Sequence, residues 1–484
     1  MDTSCCNAVF LIIIWTFNEH SVVLTGKLPP MNTDLIRKYN VPGPRYTSYP
    51  TVPFWEEQGI SQENWLRTLN RAFEESNATE GISLYIHLPF CEKLCTFCGC
   101  HKKITKQHSV EKPYIETLLK EWTLYLEKLS ATPRIKEVHL GGGTPTFFGV
   151  DNLKRLMEGV FEHAQLVDNC EMSFEAHPNY TTREQLRALY DLGFRRNSFG
   201  VQDYNPLVQK TINRIQPFET VQQAHQWSSE IGYQSINHDL VYGLPKQTLS
   251  NVIETIAKTG ELKPDRIAFY SYAHVPWIRG IGQRGFDESD LPKDEVKREL
   301  YEVGKRMLDE IGYVEIGMDH FALPSDSLYK AMRHKTLHRN FMGYTSGKTK
   351  LMIGLGMSSI SDSWYSFAQN NKTVDEYQEI VNRGEIPTFR GHLLTEEDLI
   401  LRRHILNIMC HFETSWEEPG MEVAPLREGI AMMGEMIGDG LLKLEGKKLT
   451  VTEAGHPFVR NICMCLDARM IRNQPKTKIF SQTI

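Results

Sequence analysis

Ser83-Leu-Tyr-Ile-His-Leu-Pro-Phe-Cys-Glu-Lys-Leu-Cys-Thr-Phe-Cys-Gly-Cys100 is the stretch on which the fold turns. Its first half, Ser83–His87, is a short apolar run of the kind that forms a buried strand, and Leu88-Pro-Phe reads as the turn that ends it. Its second half spaces cysteines as Cys91-x3-Cys95-x2-Cys98. Three thiolates on one loop can each hold one iron of a [4Fe–4S] cube and leave the fourth iron open. A structural zinc site is the competing reading, but it wants four closed ligands, usually as two separated pairs. Cys100 would have to be the fourth, and Cys98-x-Cys100 is tight for one tetrahedron. Chance clustering of buried cysteines is a weak account, since Glu92, Lys93, Thr96 and Gly99 are not core residue types.

Outward from this loop the chain alternates short apolar runs with amphipathic stretches. Expected strands are Ser83–His87, Glu137–Leu140, Met172–Glu175, Ser198–Val201, Ile236–Val241 and Ile267–Tyr272, each bounded by turn residues. Tyr114–Leu126 and Leu153–Phe161 repeat apolar residues at three- and four-residue spacing and read as helices. Six strand–helix repeats argue for an α/β fold with a parallel sheet. Eight close a full barrel, so six predict an open, partial (β/α)6 TIM-like barrel with room for a bulky substrate. A doubly wound sheet has the same periodicity and stays in competition.

The rhythm breaks at Gly280-Ile-Gly-Gln-Arg-Gly285, before a long helix over Glu295–Ile311 and a strand-like Val314-Glu-Ile. From about Leu393 the pattern turns helical, opening on the capping-box sequence Thr395-Glu-Glu-Asp398. Leu441–Thr452 reads as a hairpin around Glu445-Gly446, so the end of the chain predicts a small, mostly helical, winged-helix-like domain. The expected division is 1–30 as an extension outside the fold, 31–80 as a segment covering the active site, 81–390 as the barrel, and 391–484 as the C-terminal domain.

The chain has 484 residues, 41% hydrophobic and 24% charged, with a net charge of −6. That composition excludes a disordered or collagen-like chain. The acidic balance and pI near 6.3 argue against general affinity for nucleic acid or anionic membrane. A mean hydropathy of −0.37 and the absence of a long apolar run predict a soluble, cytoplasmic protein without a membrane span. Ten cysteines, four of them between 91 and 100, suit metal binding in a reducing compartment better than a disulfide scaffold. Cys410, in the apolar stretch Ile405–Cys410, reads as core. Ala8–Trp15 is strongly apolar but short, with no Lys or Arg before it and no clear cleavage site after. A signal anchor is one reading; that Met31 is the true start is the expectation adopted.

The sequence resembles the radical S-adenosylmethionine (SAM) superfamily and, within it, the oxygen-independent coproporphyrinogen III oxidase family. The resemblance runs from Met31 nearly to the end. It rests on Gly43-Pro-Arg-Tyr-Thr-Ser-Tyr-Pro-Thr51, Tyr85-Ile-His-Leu-Pro-Phe-Cys91, Cys95-Thr-Phe-Cys-Gly-Cys100, Gly141-Gly-Gly-Thr-Pro-Thr146, Asn197-Ser-Phe-Gly-Val-Gln202 and His338-Arg-Asn-Phe-Met-Gly-Tyr344. It implies that Cys91, Cys95 and Cys98 ligate one [4Fe–4S] cluster, with Cys100 a further family cysteine of open role. It also implies two SAM molecules, contacted by Tyr85, Phe97, Gly142, Gly143, Thr144, Glu175, Gln202, Arg214, Asp239, Ala273 and Ile360.

The implied activity converts two propionates of coproporphyrinogen III to vinyl groups, giving protoporphyrinogen IX in haem (porphyrin) biosynthesis, through SAM-derived 5′-deoxyadenosyl radicals. It needs an electron donor and an acceptor that the sequence does not name, and the expected state is a monomer. Arg45 with Tyr46 and Tyr49, and Arg339 with Tyr344, are candidate partners for the four substrate carboxylates. The main rival is the family's haem-binding chaperone relative, a binding protein. There a Tyr commonly replaces Phe97, the Gly-Cys pair after the cluster is not kept, and the Arg45-Tyr-Thr-Ser-Tyr segment is absent. A radical SAM methylase or ring-opening enzyme and a zinc-stabilised DNA-binding protein are the more distant rivals.

Overall fold

The computed structural model describes residues 14–17, 20–23, 33–56, 59–277, 282–283, 285–473, 477 and 479–483. Within 1–30 it describes a short antiparallel strand pair, Ile14–Phe17 with His20–Val23. The start-site expectation otherwise lies outside the described residues, as does much of the Gly280–Gly285 stretch.

All six expected strands form: β1 (Ile82–Leu88), β2 (Arg134–Gly142), β3 (Gln165–Ala176), β4 (Arg196–Gln202), β5 (Ser235–Tyr242) and β6 (Arg266–Ser271). Each pairs in parallel with the next. The spatial order follows the chain order without reversal. A doubly wound sheet reverses midway, so this is barrel-type winding. A seventh strand, β7 (Met352–Leu355), joins in parallel on the far side of β1, with Met352 opposite Ser83. The periodic reading of the sequence had no seventh repeat to count, because no crossover helix leads directly into this strand.

Antiparallel strands extend both edges: Val314–Gly317 and His320–Ala322 beyond β6, and Ile360–Asp362, Ser366–Asn370 and Thr388–Leu393 beyond β7. Among the described residues the outermost strands do not pair with each other, so the barrel stays open.

Helices cover the outer face. On Gln62–Ser76, Trp65, Leu69, Ala72 and Phe73 recur at three- and four-residue spacing and are at most 1% exposed. Burial of a large apolar side chain is worth about 1.5–3 kcal/mol. The Ser61 cap at the start of this helix adds only about 1 kcal/mol, so the buried face decides where the helix sits. The main core is continuous from this helix through Tyr114, Trp122 and Phe148 to Leu300, Ile353 and Tyr377.

A second core gathers Leu401, Ile405, Ile408 and Met409 of the helix Glu396–His411 with Leu426, Leu449 and Ile462. Thr395 and Asp398 close the expected capping box. The hairpin forms over Leu442–Glu445 and Lys448–Val451, joined by Glu413–Ser415. Tyr39, Tyr46 and Tyr49 are part of this second core. The segment 31–80 is therefore split, its first part packed with the C-terminal helices and its second part with the barrel. No helix among the described residues is long and apolar enough to cross a membrane.

Candidate active site

The cysteine loop leaves the C-terminal end of β1 and is held on both sides. Phe90–Cys91 pairs in parallel with Lys103–Ile104. On the other flank, Thr96 N–H donates to the Ile212 carbonyl at 3.0 Å and Asn213 Nδ2 donates to the Leu94 carbonyl at 2.7 Å. Cys91, Cys95 and Cys98 are free, half-buried thiols lining one cavity of about 320 Å³ at the mouth of the barrel. Among the described residues no three His, Cys, Asp or Glu converge on a single ion-sized point, the arrangement one zinc would demand. In a cube each thiolate meets a different iron. Burial pushes the Cys91 thiol up to about 11. Cys98 is held low, first by the Cys100 thiol donating to it and then by the Lys102 and Arg214 cations, while Cys100 is correspondingly raised.

Opposite the loop, the end of β2 supplies a bare backbone cradle. Gly142 has φ +114°, in the region that favours glycine. A Cβ on Gly143 would lie 2.5 Å from the Pro89 carbonyl, so any side chain there would close the gap between cradle and loop. Thr144 Oγ1 meets the Cys91 sulfur at 3.2 Å, tying the cradle to the first cysteine. Glu175, at the end of β3, accepts the Gly142 N–H at 3.2 Å and remains half-buried beside the cavity.

Gln202 ends β4 with φ +71°, a strained conformation for a residue with a side chain, and it lines the same cavity. Asp239 in β5 accepts from Ser198 Oγ at 2.9 Å and Asn237 Nδ2 at 2.8 Å, and burial pushes its carboxyl up to about 6. Arg214 reaches in from the loop after β4. Its Nη1 lies 3.6 Å from the Cys95 sulfur, Nη2 donates to the Gly200 carbonyl, and its buried Nε has no partner.

The structure thus brings Cys91, Cys95, Cys98, Phe97, Gly142, Gly143, Thr144, Glu175, Gln202, Arg214 and Asp239 to one cavity wall. Tyr85, Ala273 and Ile360 lie off that wall. Tyr85 sits behind Gly141, with its ring 3.0 Å from where a Cβ there would be, and bonds His87 Nδ1 at 3.1 Å. Ile360 packs with Trp55, Phe367 and Leu394.

The substrate-carboxylate candidates fare differently. Arg45 is committed to Asp319 at 2.7 Å and to the Ser271 carbonyl at 2.9 Å. Tyr46 bonds Asp467, Tyr49 is buried, and Tyr344 donates to the Met409 carbonyl. Arg45, Tyr46 and Tyr344 thus anchor the N-terminal segment and the C-terminal helices rather than standing free. Arg339 keeps two buried guanidinium nitrogens without partners.

Among the residues that escaped the sequence reading, two have well-defined surroundings. His177, just past β3, lines the cavity, and burial and the nearby Arg214 keep its ring neutral. Gln283, only 4% exposed, donates to the carbonyls of both Phe97 and Ala273 at 3.0 Å and accepts the Val275 N–H at 2.7 Å. It pins the cysteine loop to the end of β6. Its place in a Gly-rich stretch gave no signal of that role.

The protein of Escherichia coli named oxygen-independent coproporphyrinogen III oxidase is 37% identical over 457 residues, which span 93% of this chain and 98% of its own. The chain belongs to the oxygen-independent coproporphyrinogen III oxidase family. A Synechocystis protein of the same name is 36% identical over 94% of this chain and 98% of its own, and one from Pseudomonas aeruginosa is 37% identical over 90% and 95%. Residues 85–258 match the Radical SAM superfamily. The solved coproporphyrinogen III oxidase of Escherichia coli superposes with a TM-score of 0.82 at 36% identity, covering 88% of this chain and 97% of that one.

Membership of a radical SAM family of coproporphyrinogen III oxidases carries with it a [4Fe–4S] cluster and SAM. The site fits both. Three thiols face one cavity, a glycine cradle admits close backbone approach, and Arg214 keeps a buried donor free beside Cys95.

Proposed function

We propose that this protein catalyses the anaerobic oxidative decarboxylation of two propionates of coproporphyrinogen III to vinyl groups. Each propionate carboxylate loses a hydrogen atom from its β-carbon, then carbon dioxide and one electron, leaving a carbon–carbon double bond. Two propionates give protoporphyrinogen IX and two molecules of carbon dioxide, and an acceptor takes one electron for each.

Cys91, Cys95 and Cys98 would hold the cluster, and SAM would complete it. When bound, these groups supply a 5′-deoxyadenosyl radical that abstracts hydrogen. The chain's own work is placement. Arg214 has a fork geometry suited to a carboxylate, such as that of SAM. Glu175 and Asp239 offer carboxylate oxygens to hydroxyl and amino groups, and the Gly142–Gly143 backbone lets a ligand approach without steric conflict. A second SAM molecule remains part of this proposal, with Tyr85, Ala273 and Ile360 as family contact positions that lie off the main wall. A reactive radical also needs water kept away, which Phe97, Ala176 and Val241 assist as apolar parts of the wall. The chemistry suits a reducing compartment, which we take to be the cytoplasm.

One observation carries this reading: residues from the cysteine loop and from the ends of β2, β3, β4 and β5 line a single cavity at the mouth of an open parallel barrel. Anaerobic incubation of reconstituted protein with SAM, a reductant and coproporphyrinogen III tests it. Porphyrin masses should show the loss of carbon dioxide and two hydrogens at each of two propionates.

A further inference from the structure

Arg214 is carried by a loop that is tied to the cysteine loop. Thr96 N–H donates to the Ile212 carbonyl at 3.0 Å, Thr96 Oγ1 to the Thr211 carbonyl at 3.1 Å, and Asn213 Nδ2 to the Leu94 carbonyl at 2.7 Å. The loop leaves the short helix Pro206–Thr211, turns at Asn213 with φ +53°, and comes back to β4, where Gln216 Nε2 donates to the Gly200 carbonyl at 3.3 Å.

One buried side chain spans the two ends of this loop. Gln209 is 5% exposed and is not on the wall of the mouth cavity. Its Nε2 donates to the Asp203 carbonyl at 2.9 Å and to the Gln216 carbonyl at 2.7 Å. Its Oε1 accepts the Gln216 N–H at 2.9 Å, and its backbone carbonyl accepts the Arg214 N–H at 2.8 Å. The side-chain amide uses both donor hydrogens and its acceptor oxygen. A carboxylate would set oxygen against two carbonyls. An apolar side chain would leave those carbonyls and one N–H buried without partners.

The anchor on the β4 side is itself fixed. Asp203 follows Gln202 and is fully buried, and its carboxylate accepts the Asn205 N–H at 2.6 Å and Gln247 Nε2 at 2.7 Å. Gln247 also donates to the Val241 carbonyl in β5 at 2.9 Å. On the cavity side, a Cβ on Gly200 would lie 2.7 Å from both Arg214 Nη2 and Gln202 Nε2, so these two side chains converge above it.

We propose that Gln209 is a positioning residue for SAM, which sets the Arg214 guanidinium beside Cys95 by closing residues 209–216 into one rigid loop. The inference rests on the reading of the mouth as a SAM site. Gln209 acts through Arg214, because a displaced guanidinium loses the geometry that a two-point contact with a carboxylate needs.

A double-mutant cycle on the full chain with its cluster reconstituted tests this, read by calorimetric SAM affinity and by backbone hydrogen exchange. Gln209→Met keeps the length of the side chain and removes its polar contacts. It should retain iron, weaken SAM binding by about tenfold, and speed exchange at residues 209–216 and at Thr96. Arg214→Lys weakens SAM binding on its own, and adding Gln209→Met to it should cost less than about twofold more, since the two residues act as a unit. Should Gln209→Met take up no iron, Gln209→Asn, which keeps the amide one methylene shorter, decides by the same readings. Iron lost from both makes Gln209 a folding residue and overturns the proposal. So does a further loss of about tenfold in the double variant, which would place the effect of Gln209 elsewhere. SAM bound equally by the wild type and the single variant overturns this inference alone, whereas a wild type that binds no SAM overturns the reading of the mouth and this inference with it.

Discussion

Nη1 of Arg214 lies 3.6 Å from the sulfur of Cys95, while the Nε of the same guanidinium is buried without a partner. One side chain thus touches the expected cluster loop and keeps a donor ready for a ligand beside it. Arg214→Lys should leave iron content unchanged but weaken SAM-dependent decarboxylation. Lys replaces a planar fork with one compact charge. Loss of a charge-assisted hydrogen bond costs about 1.5–3 kcal/mol, a roughly ten- to hundredfold drop in productive binding. Iron, deoxyadenosine and vinyl product measured side by side check this. Unchanged vinyl formation would remove Arg214 from the site, and loss of iron would make it a folding residue.

Cys91, Cys95 and Cys98, each changed to Ser, should lose the iron–sulfur chromophore and all SAM cleavage, since each thiolate holds a different iron. Cys410, 3% exposed within the helix Glu396–His411, should tolerate Ser with both properties retained. Stoichiometric iron in any of the first three variants would refute the ligand assignment.

Asp239 ionises near pH 6 because burial opposes its charge. SAM carries a sulfonium cation, so the ionised form should bind it better. Affinity should therefore rise from pH 5 to pH 7 and level off above. The folded protein feels the opposite sign: with its pKa above the unfolded value, this carboxyl lowers stability as pH rises from about 4 to 6. Asp239→Asn should flatten both dependences. A SAM affinity still rising through pH 6 in that variant would assign the titration elsewhere.

Gln283 should matter without touching the reacting atoms. Gln283→Ala leaves the carbonyls of Phe97 and Ala273 without their donor, at about 1–3 kcal/mol for each buried group. The expected result is faster iron loss to a chelator and a lowered melting temperature, with Gln283→Asn intermediate. Iron retention equal to the wild type would show that the Lys103–Ile104 pairing and the Ile212 and Asn213 contacts hold the loop without Gln283.

The barrel strands and the cysteine loop were legible because their signals are local. A strand such as Ile236–Val241 shows itself in a few consecutive residues, and the cysteine spacing is complete within one loop. What stayed hidden depends on pairing between distant segments. Strand β7 is defined by Met352 meeting Ser83, and nothing near Met352 announces that partner. Arg45 looked available for substrate because Asp319, its partner, comes far later in the chain. Tyr46 and Tyr49 likewise find their surroundings among helices beyond residue 400.

The central claim is that one cavity performs SAM-dependent conversion of propionate to vinyl. The most direct measurement counts 5′-deoxyadenosine and identifies the porphyrin by mass in a single anaerobic reaction with coproporphyrinogen III. The account predicts a divinyl product with one deoxyadenosine for every vinyl group formed, and neither product in the Cys95→Ser protein. Unaltered coproporphyrinogen alongside released deoxyadenosine, or a methylated or ring-opened porphyrin, would contradict it.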